Sequence, residues 1–452
     1  MTSPSTAMRP LRIGMIGAGT VGGGVYEIIM GRLGGASNSK DAPRQATGFE
    51  NPSLRKCIIS KICVRDISKS RKFRVDSKET TLVTDVNSIL NDKTIDLVVE
   101  VMGGTGLAKT VVLESLKKGK SVVTANKALI AEHLDEIRDA VLKTNGDAVF
   151  AYEAAVCGGI PIIQTLQSCL TGDITHEVMG ICNGTTNYML GKMEEGTDYD
   201  EVLKEAQELG FAEADPTADV EGHDVRAKIA IMAKLAFGTT VPVDSIPCRG
   251  ITEISSVDFE YAKSLGCTIK LVGTAVRLSE FSEHDGPLSV YVAPKVVPMS
   301  HLLASARGAG NAVALKTANL GSTSYTGPGA GRFPTANSVV ADICRVASGL
   351  VNSDPFPLQS NITFNSDYTS QFYIRVSFSD ELGIIRRVGE LAEIHGVSIC
   401  SILQNPIQDR MMADFVITTE ECKVSQVEAL CAAIGDEDFT HSKPVLMSML
   451  SD

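Results

Sequence analysis

No stretch of this sequence approaches twenty uninterrupted apolar residues, so no membrane-spanning helix is expected. Positive charge is also scarce, because 42 Lys and Arg stand against 54 Asp and Glu and leave a net charge of -12. Nucleic acids and anionic membranes attract proteins that carry concentrated positive charge. Neither is therefore expected as a partner, and a small-molecule ligand is favoured.

The eleven cysteines include no C-x-x-C pair and are odd in number, which disfavours a disulfide framework or a thiolate zinc site. Reduced thiols indicate the cytoplasm. The opening ten residues lack the apolar segment of a signal peptide and are expected to form a frayed end. A length of 452 residues exceeds what one hydrophobic core usually supports, so two or three domains are expected.

A short apolar strand near the N-terminus runs into a G-x-G-x-x-G turn made by Gly17, Gly19 and Gly22. The first glycine allows a tight turn, the second lets backbone N–H groups approach phosphates, and the third lets helix and strand pack closely. Thr20 and Val21 open the following helix, whose N-terminus carries partial positive charge. The motif predicts a dinucleotide site, although similar glycine turns also serve plain packing.

Predicted strands alternate with helical patterns over the first third of the chain, which is typical of a doubly wound, Rossmann-type parallel sheet in an α/β fold. These strands are expected at 57–64, 96–101, 121–124 and 148–152. The segment 32–55 is polar and too long for an ordinary connection between elements of a nucleotide-binding unit, and it is interpreted as a surface insertion.

The pattern then changes to a mixed α+β region, in which strands are expected at 174–182, 268–278, 288–292 and 311–316. The last part of the chain has a βαββαβ pattern. The expected organisation is a nucleotide-binding domain at 10–153 plus about 325–350, a second, mixed domain at 154–324, a linker at 351–369 and a small unit at 370–452.

Charged residues concentrate between positions 209 and 228. Asp224 and Lys228 are four residues apart and share one face of a predicted helix whose other positions are mostly apolar. Charges at the end of such a buried helix are expected to line a cleft, although a solvated ion pair is the simpler alternative. Lys127 follows a predicted parallel strand directly, at the edge where ligands of doubly wound sheets bind, and is otherwise a surface lysine that begins a helix.

Glu153 precedes a turn of small residues whose carbonyl groups, with one carboxylate, suit a hard monovalent cation. A simple Gly-Gly turn is the alternative. Cys157 has no neighbouring base in the sequence and is interpreted as a buried filler. Asn183 and Thr185 belong to a run of four polar residues before a helix, more than a helix cap requires.

Several of these motifs together resemble the homoserine dehydrogenase family. They are the glycine turn, Ala125-Asn126-Lys127, Glu153-Ala154-Ala155-Val156, Asn183-Gly184-Thr185-Thr186-Asn187, Glu213-Ala214-Asp215-Pro216 and Gly222-His223-Asp224-Val225-Arg226-Ala227-Lys228. The resemblance covers roughly residues 10–350, and residues 370–452 are similar to the ACT domain of bacterial-type members. It implies that the domain at 154–324 binds the substrate and dimerises, and that the unit at 370–452 is regulatory. It implies reversible reduction of L-aspartate 4-semialdehyde to L-homoserine by NADPH or NADH, the branch step towards threonine, methionine and isoleucine.

The resemblance also implies roles for individual residues. Lys127 and Lys228 become the acid and base candidates, and Lys127 also contacts the cofactor. The implied substrate contacts are Glu213, Asp224, Asn183 and Thr185. The implied cofactor and cation contacts are Gly331 in the late glycine turn, and Glu153 with main-chain groups of Val156, Gly158 and Ile160 around a sodium or potassium ion.

Cofactor choice depends on the end of the second strand, where Arg65 favours the 2′-phosphate of NADP and Asp66 leaves NAD possible. In the tail, Leu382 replaces the proline usual in the ACT ligand turn. Threonine is the implied effector, with a module that only dimerises as the alternative. A homodimer or a dimer of dimers is expected. The competing functions are an oxidoreductase of another amino-acid semialdehyde and a catalytically inactive amino-acid sensor.

Overall fold

The structure is a computed structural model that describes residues 9–32, 57–278, 286–407 and 409–450. Beyond Arg32, the predicted insertion at 32–55 lies outside these residues. The chain divides into two compact units. The first combines the chain up to Gly172 with Gly327–Gln359, and the second combines Asp173–Thr326 with Ser360–Asp452.

Strands and helices follow each other in both units. The strands are β1 Leu11–Ile16, β2 Cys57–Cys63, β3 Thr81–Val83, β4 Leu97–Glu100, β5 Ser121–Thr124, β6 Phe150–Ala151, β7 Thr175–Ile181, β8 Cys267–Arg277, β9 Leu288–Pro298, β10 Gly310–Thr317, β11 Gly321–Pro328, β12 Thr369–Phe378, β13 Ile399–Leu403, β14 Ala413–Thr419, β15 Cys422–Lys423 and β16 Val445–Met449. The helices are α1 Thr20–Arg32, α2 Asn87–Leu90, α3 Gly106–Lys117, α4 Lys127–Leu142, α5 Ile162–Gln164, α6 Gly184–Glu194, α7 Tyr199–Glu208, α8 Thr217–Val220, α9 His223–Phe237, α10 Ser256–Ser264, α11 Arg332–Ala347, α12 Ile384–Ile394 and α13 Val424–Gly435.

The first unit contains a parallel sheet with the strand order β3-β2-β1-β4-β5-β6. Every residue of β4 and of β5 is buried, as expected for parallel strands covered on both faces. The order reverses between β1 and β4, and in such sheets the crevice at this switch point binds the ligand. The predicted Rossmann-type fold class is confirmed.

Helix α11 packs against α1 in this unit although it follows more than 300 residues later. The approach is close, because a Cβ atom at Gly24 would lie 2.6 Å from the carbonyl oxygen of Arg332 and 2.8 Å from the Cβ of Ala336. An ion pair of 2.9 Å between Arg332 and Glu27 joins the same two helices. The nucleotide-binding unit is therefore built from two separate stretches of sequence.

The second unit is organised on a ten-stranded mixed sheet, ordered β11-β10-β7-β8-β9-β16-β12-β14-β13, with β15 beside β12. Helix α9 lies against β7, β8 and β9. The close packing depends on Gly273, where a Cβ atom would lie 2.9 Å from Val225 and 3.1 Å from Ile229. This contact buries α9 on the sheet and fixes the direction in which its N-terminal charges lie.

The C-terminal segment forms the predicted βαββαβ unit, with the strand order β16-β12-β14-β13. It continues the large sheet, because β16 pairs in parallel with β9. Buried polar contacts join the two parts: the guanidinium Nε of Arg375 donates to Asp258 Oδ1 at 2.7 Å, and the hydroxyl of Tyr373 donates to the same oxygen at 2.9 Å. The tail and the mixed region of the second unit therefore share one sheet.

Three stretches differ in detail from the predictions. Strand β9 runs to Pro298, beyond the predicted end at residue 292. Strand β11 was not predicted, because its Gly, Ser and Thr residues form a mostly exposed edge strand without apolar alternation. Residues expected to form a linker make ordered contacts: Phe356 is fully buried, and the carbonyl of Pro355 accepts a hydrogen bond from Tyr152 Oη. Among the described helices, none has the length and apolar character needed to cross a membrane.

Candidate active site

The glycine turn has the geometry that a dinucleotide pyrophosphate requires. Gly17 has a φ of +108°, and a Cβ atom there would lie 2.5 Å from the carbonyl oxygen of Val101. A Cβ atom at Gly22 would overlap the carbonyl oxygen of Gly17. A Cβ atom at Gly19 would meet no atom within 4 Å, so protein packing does not require glycine there. The open space at Gly19 fits close approach by a ligand, and Thr20 begins α1 directly after it.

The loop after β2 is held by its own side chains. The hydroxyl and the backbone N–H of Ser68 donate to Asp66 and lower the pKa of its carboxyl group. The guanidinium of Arg71 donates to three backbone carbonyls of the loop, including that of Asp66 at 2.6 Å. Arg65 is exposed at the end of β2. Arg71 is therefore used to shape the loop, and phosphate recognition by Arg65 stays a prediction.

Lys127 is the first residue of α4, at the carboxyl edge of the parallel sheet. Asn126 caps this helix, since its side-chain oxygen accepts from the backbone N–H of Leu129 at 3.2 Å. The predicted position of Lys127 beyond the end of β5 is observed. It belongs to the first unit, whereas Lys228 belongs to the second.

Lys228 lies at the centre of a buried polar cluster in the second unit. Its ammonium donates to Asp224 Oδ2 at 2.7 Å and to the carbonyl oxygen of Cys182 at 2.6 Å. The Lys228 and Asp224 side chains keep only 10% and 9% of their surface exposed, so this pair is not the solvated ion pair of the simpler interpretation. Burial of an ammonium requires such partners.

Asn183 joins this cluster to a second carboxylate. Its side-chain amide donates to Asp224 Oδ2 at 2.9 Å and to Asp219 Oδ1 at 2.7 Å. Its oxygen accepts from the backbone N–H of Thr186 and so caps α6. Asp219 was not among the predicted site residues, although it stands in the acidic stretch that the sequence singled out. Two carboxylates and one ammonium leave this cluster with an excess negative charge, which suits a cationic group of a ligand.

Thr185 and Glu213, the two other residues predicted to contact the substrate, have hydrogen-bond partners outside the Lys228 cluster. The hydroxyl of Thr185 donates to the carbonyl oxygen of Phe211 at 2.6 Å and ties α6 to the loop after α7. Glu213 lies exposed in that loop, where its backbone carbonyl accepts from the side chain of Gln207. Substrate contact by either residue stays a prediction.

The segment predicted to hold a cation is a tight, mostly buried turn in the first unit. Glu153 accepts hydrogen bonds from the backbone N–H groups of Ile163 and Gln164 at 2.9 and 2.8 Å. Burial and the neighbouring carboxylate of Asp342 raise the pKa of Glu153 to about 7. Cys157 is buried, with a φ of +53°. Asp342 also forms an ion pair with Arg345, with 3.3 Å between Arg345 Nη1 and Asp342 Oδ1, and cation binding at this turn stays a prediction.

Carbonyl groups of the same turn are oriented by hydrogen bonds. The carbonyl oxygen of Gly158 accepts from the hydroxyl of Ser338 at 2.7 Å, and that of Ile160 accepts from the backbone N–H of Ile162 at 2.8 Å. Each carbonyl oxygen has two lone pairs, so each can bind a further donor or a cation. Gly331 caps α11 with a φ of +121°. The late glycine turn that contains Gly331 therefore lies in the nucleotide-binding unit.

The fold and these residues define a class. A glycine turn that opens a helix on a doubly wound sheet, with a buried lysine and carboxylate cluster in the second unit, is typical of a nicotinamide-dependent oxidoreductase. The NAD-binding domain of homoserine dehydrogenase matches residues 17–151, and the homoserine dehydrogenase domain matches residues 161–344.

Full-length relatives agree with these matches. The homoserine dehydrogenase of Bacillus subtilis is 37% identical over 438 residues, which cover 95% of this chain and 96% of the relative. That of Neisseria gonorrhoeae is 38% identical over 453 residues, 97% and 98% of the two chains. The crystal structure of the Thiobacillus denitrificans homoserine dehydrogenase superposes with a TM-score of 0.85 at 30% identity, over 98% and 99% of the chains. The chain belongs to the homoserine dehydrogenase family.

The glycine turn offers a matched pair of substitutions. We expect Gly22→Ala to destabilise the protein by about 1–3 kcal/mol, because the new methyl group overlaps the carbonyl of Gly17. Gly19→Ala is expected to leave thermal stability unchanged and to weaken NADPH binding. Thermal unfolding without cofactor and fluorescence titration with NADPH measure the two effects. Wild-type affinity in Gly19→Ala would show that the pyrophosphate does not bind at this turn.

Proposed function

We propose that this enzyme interconverts L-aspartate 4-semialdehyde and L-homoserine through the buried cluster around Lys228. When bound, the nicotinamide cofactor supplies or accepts the hydride. Asp219 and Asp224 outnumber the ammonium of Lys228, so the cluster suits the α-ammonium group of an amino-acid substrate. Lys228 can stabilise the oxygen of the reacting carbon and transfer a proton to it. The observation that carries the proposal is the Lys228–Asp224–Asn183–Asp219 network.

Lys127 is proposed as the second acid and base group and as a cofactor contact. Its support is its place at the first turn of α4, beyond the carboxyl end of β5. Glu213 and Thr185 are proposed as additional substrate contacts, on the strength of the family motifs. A hydroxyl that donates its proton, as that of Thr185 does to Phe211, still has an oxygen that can accept.

NADP is proposed as the preferred cofactor, with NAD as the alternative. Support comes from Arg65, exposed at the end of β2 where a 2′-phosphate would need a cation. Asp66 leaves NAD possible, because its carboxylate accepts from Ser68 on Oδ1 and keeps acceptor capacity for a ribose hydroxyl. A sodium or potassium ion is proposed on Glu153 and main-chain groups of Val156, Gly158 and Ile160. Support comes from the buried carboxylate of Glu153 and from the carbonyl groups of Gly158 and Ile160, which keep lone pairs for a cation.

The tail is proposed to act as an ACT-type regulatory unit that responds to threonine, in a homo-oligomer. Support comes from the βαββαβ topology and from its sheet, which continues into the mixed region of the second unit. The cytoplasm is proposed as the compartment, because the eleven cysteines are odd in number and include no C-x-x-C pair. Family membership favours an active dehydrogenase over a catalytically inactive sensor.

One assay tests the function directly. Purified protein is expected to oxidise L-homoserine with NADP faster than with NAD, to respond to added KCl, and to lose activity when threonine is added. L-Malate and L-serine serve as control substrates and are expected to give no turnover. Comparable turnover of either control would favour a different oxidoreductase.

Lysine substitutions test the acid and base assignments. Lys228→Met and Lys127→Met are each expected to lower kcat by about 10²–10⁴-fold, because each removes a proton-transfer group. NADPH binding to Lys228→Met should persist. Lys234→Met is the matched control for Lys228→Met, since Lys234 is also buried on α9 but donates to the carbonyl of Gly238. A near wild-type kcat in Lys228→Met would remove this residue from the mechanism.

Cofactor choice is tested at Arg65. Arg65→Ser is expected to raise the KM for NADP roughly tenfold, the loss of one charge-assisted contact, and to leave the KM for NAD unchanged. Lys117→Ala, which removes an exposed positive charge at the end of α3, is the control. If Arg65→Ser changed the KM for NADP and the KM for NAD by the same factor, recognition of the 2′-phosphate at this position would be contradicted.

A further inference from the structure

Glu100, the last residue of β4, is a fully buried carboxylate that the mechanism described so far does not use. Strand β4 borders the switch point of the parallel sheet. One carboxylate oxygen, Oε1, accepts from the backbone N–H of Met102 at 2.9 Å. The other, Oε2, accepts from the hydroxyl of Thr124 at 2.6 Å. Thr124 is the register partner of Glu100 on β5, so the carboxylate joins the ends of two neighbouring strands.

A chain of hydrogen bonds runs from Glu100 through Thr124 and Asn126 to the start of α4. Thr124 Oγ1 accepts from the backbone N–H of Asn126 at 3.0 Å, and its single proton goes to Glu100. The side chain of Asn126 accepts from the N–H of Leu129 and donates to the carbonyl of Gly104 at 2.7 Å. The first turn of α4 and the loop after β4 are therefore tied to one carboxylate.

The same loop contacts the glycine turn. The carbonyl oxygen of Val101, next to Glu100, is the atom that a Cβ at Gly17 would approach within 2.5 Å. Gly103 and Gly104 both have φ near +75°, a backbone that few other residues adopt. A loop that contains two such residues needs tertiary contacts to hold one conformation. Met102 N–H and the Gly104 carbonyl supply them through Glu100 and Asn126.

We propose that Glu100 is a positioning residue for the reaction, and that it acts by fixing the first turn of α4 and thereby Lys127. The inference rests on the role proposed above for Lys127. Glutamine in place of Glu100 has one acceptor oxygen instead of two. If that oxygen accepts from the N–H of Met102, an amide NH2 group faces the Thr124 hydroxyl, and if it accepts from Thr124, the NH2 group faces the N–H of Met102. Either orientation loses one of the two hydrogen bonds that hold the ends of β4 and β5.

The test compares three variants with a control. Glu100→Gln and Thr124→Val are each expected to lower kcat roughly tenfold to hundredfold, the scale of an ångström-sized displacement of a catalytic group. Thr124→Ser, which keeps the hydroxyl, is expected to restore kcat to within twofold of wild type. Thr80→Val is the control, because its buried hydroxyl donates to the carbonyl of Ile59 in the same sheet. It should lower thermal stability without lowering kcat in the folded enzyme.

A double-mutant cycle separates positioning from general stability. In the Lys127→Met background, Glu100→Gln is expected to cause no further loss of kcat, because the group that it positions is already absent. If Glu100→Gln lowers kcat by the same factor in the wild-type and Lys127→Met backgrounds, the inference is overturned. A wild-type kcat in folded Glu100→Gln would overturn it as well. A wild-type kcat in Lys127→Met alone would instead overturn the proposed role of Lys127. Thermal unfolding of each variant confirms that kcat is measured on folded protein.

Discussion

The buried ammonium of Lys228 is the constraint on which the second unit depends. An unpaired charge in a protein interior costs several kcal/mol, so the buried ammonium needs charged and hydrogen-bonding partners beside it. Asp224 is one helical turn away on α9, and the carbonyl of Cys182 follows the end of β7. Asp224 reaches Lys228 along α9 itself, whereas the carbonyl of Cys182 reaches Lys228 only because α9 lies against β7 and β8. The packing of α9 on the mixed sheet therefore positions the ammonium of Lys228.

Buried carboxylates organise the first unit in a related way. Glu100 is the last residue of β4 and Glu153 follows β6, and both accept hydrogen bonds from backbone N–H groups of the segments that come next. A parallel strand that ends leaves N–H groups of its following loop without ladder partners, and a buried carboxylate satisfies them. These loops lie at the edge where ligands of such sheets bind. Glu100 thus rigidifies its loop without being expected to touch a ligand, whereas Glu153 both accepts these N–H groups and is the proposed cation ligand.

Much of the fold and part of the site could be predicted because their signals are local. The spacing of Gly17, Gly19 and Gly22 and the four-residue step from Asp224 to Lys228 are visible within a few positions of sequence. The contact of Asn183 with Asp219 spans 36 residues, and no periodicity marks it. The sequence pattern did not predict strand β11, because an exposed edge strand needs no apolar alternation. Pairing across sheets and between distant loops is decided by tertiary packing, which local pattern does not encode.

The tail illustrates the same limit. Its βαββαβ order was predictable, but its attachment was not: β16 continues the sheet from β9, and Tyr368 stacks on Tyr291 with ring centroids 3.6 Å apart. Arg375 also pairs with Asp258 on α10, and α10 packs against α6, the helix that Asn183 caps. Removal of the tail would uncover the edge of β9 and leave Asp258 without its guanidinium partner. The tail therefore supports α10, which in turn packs against the helix that Asn183 caps.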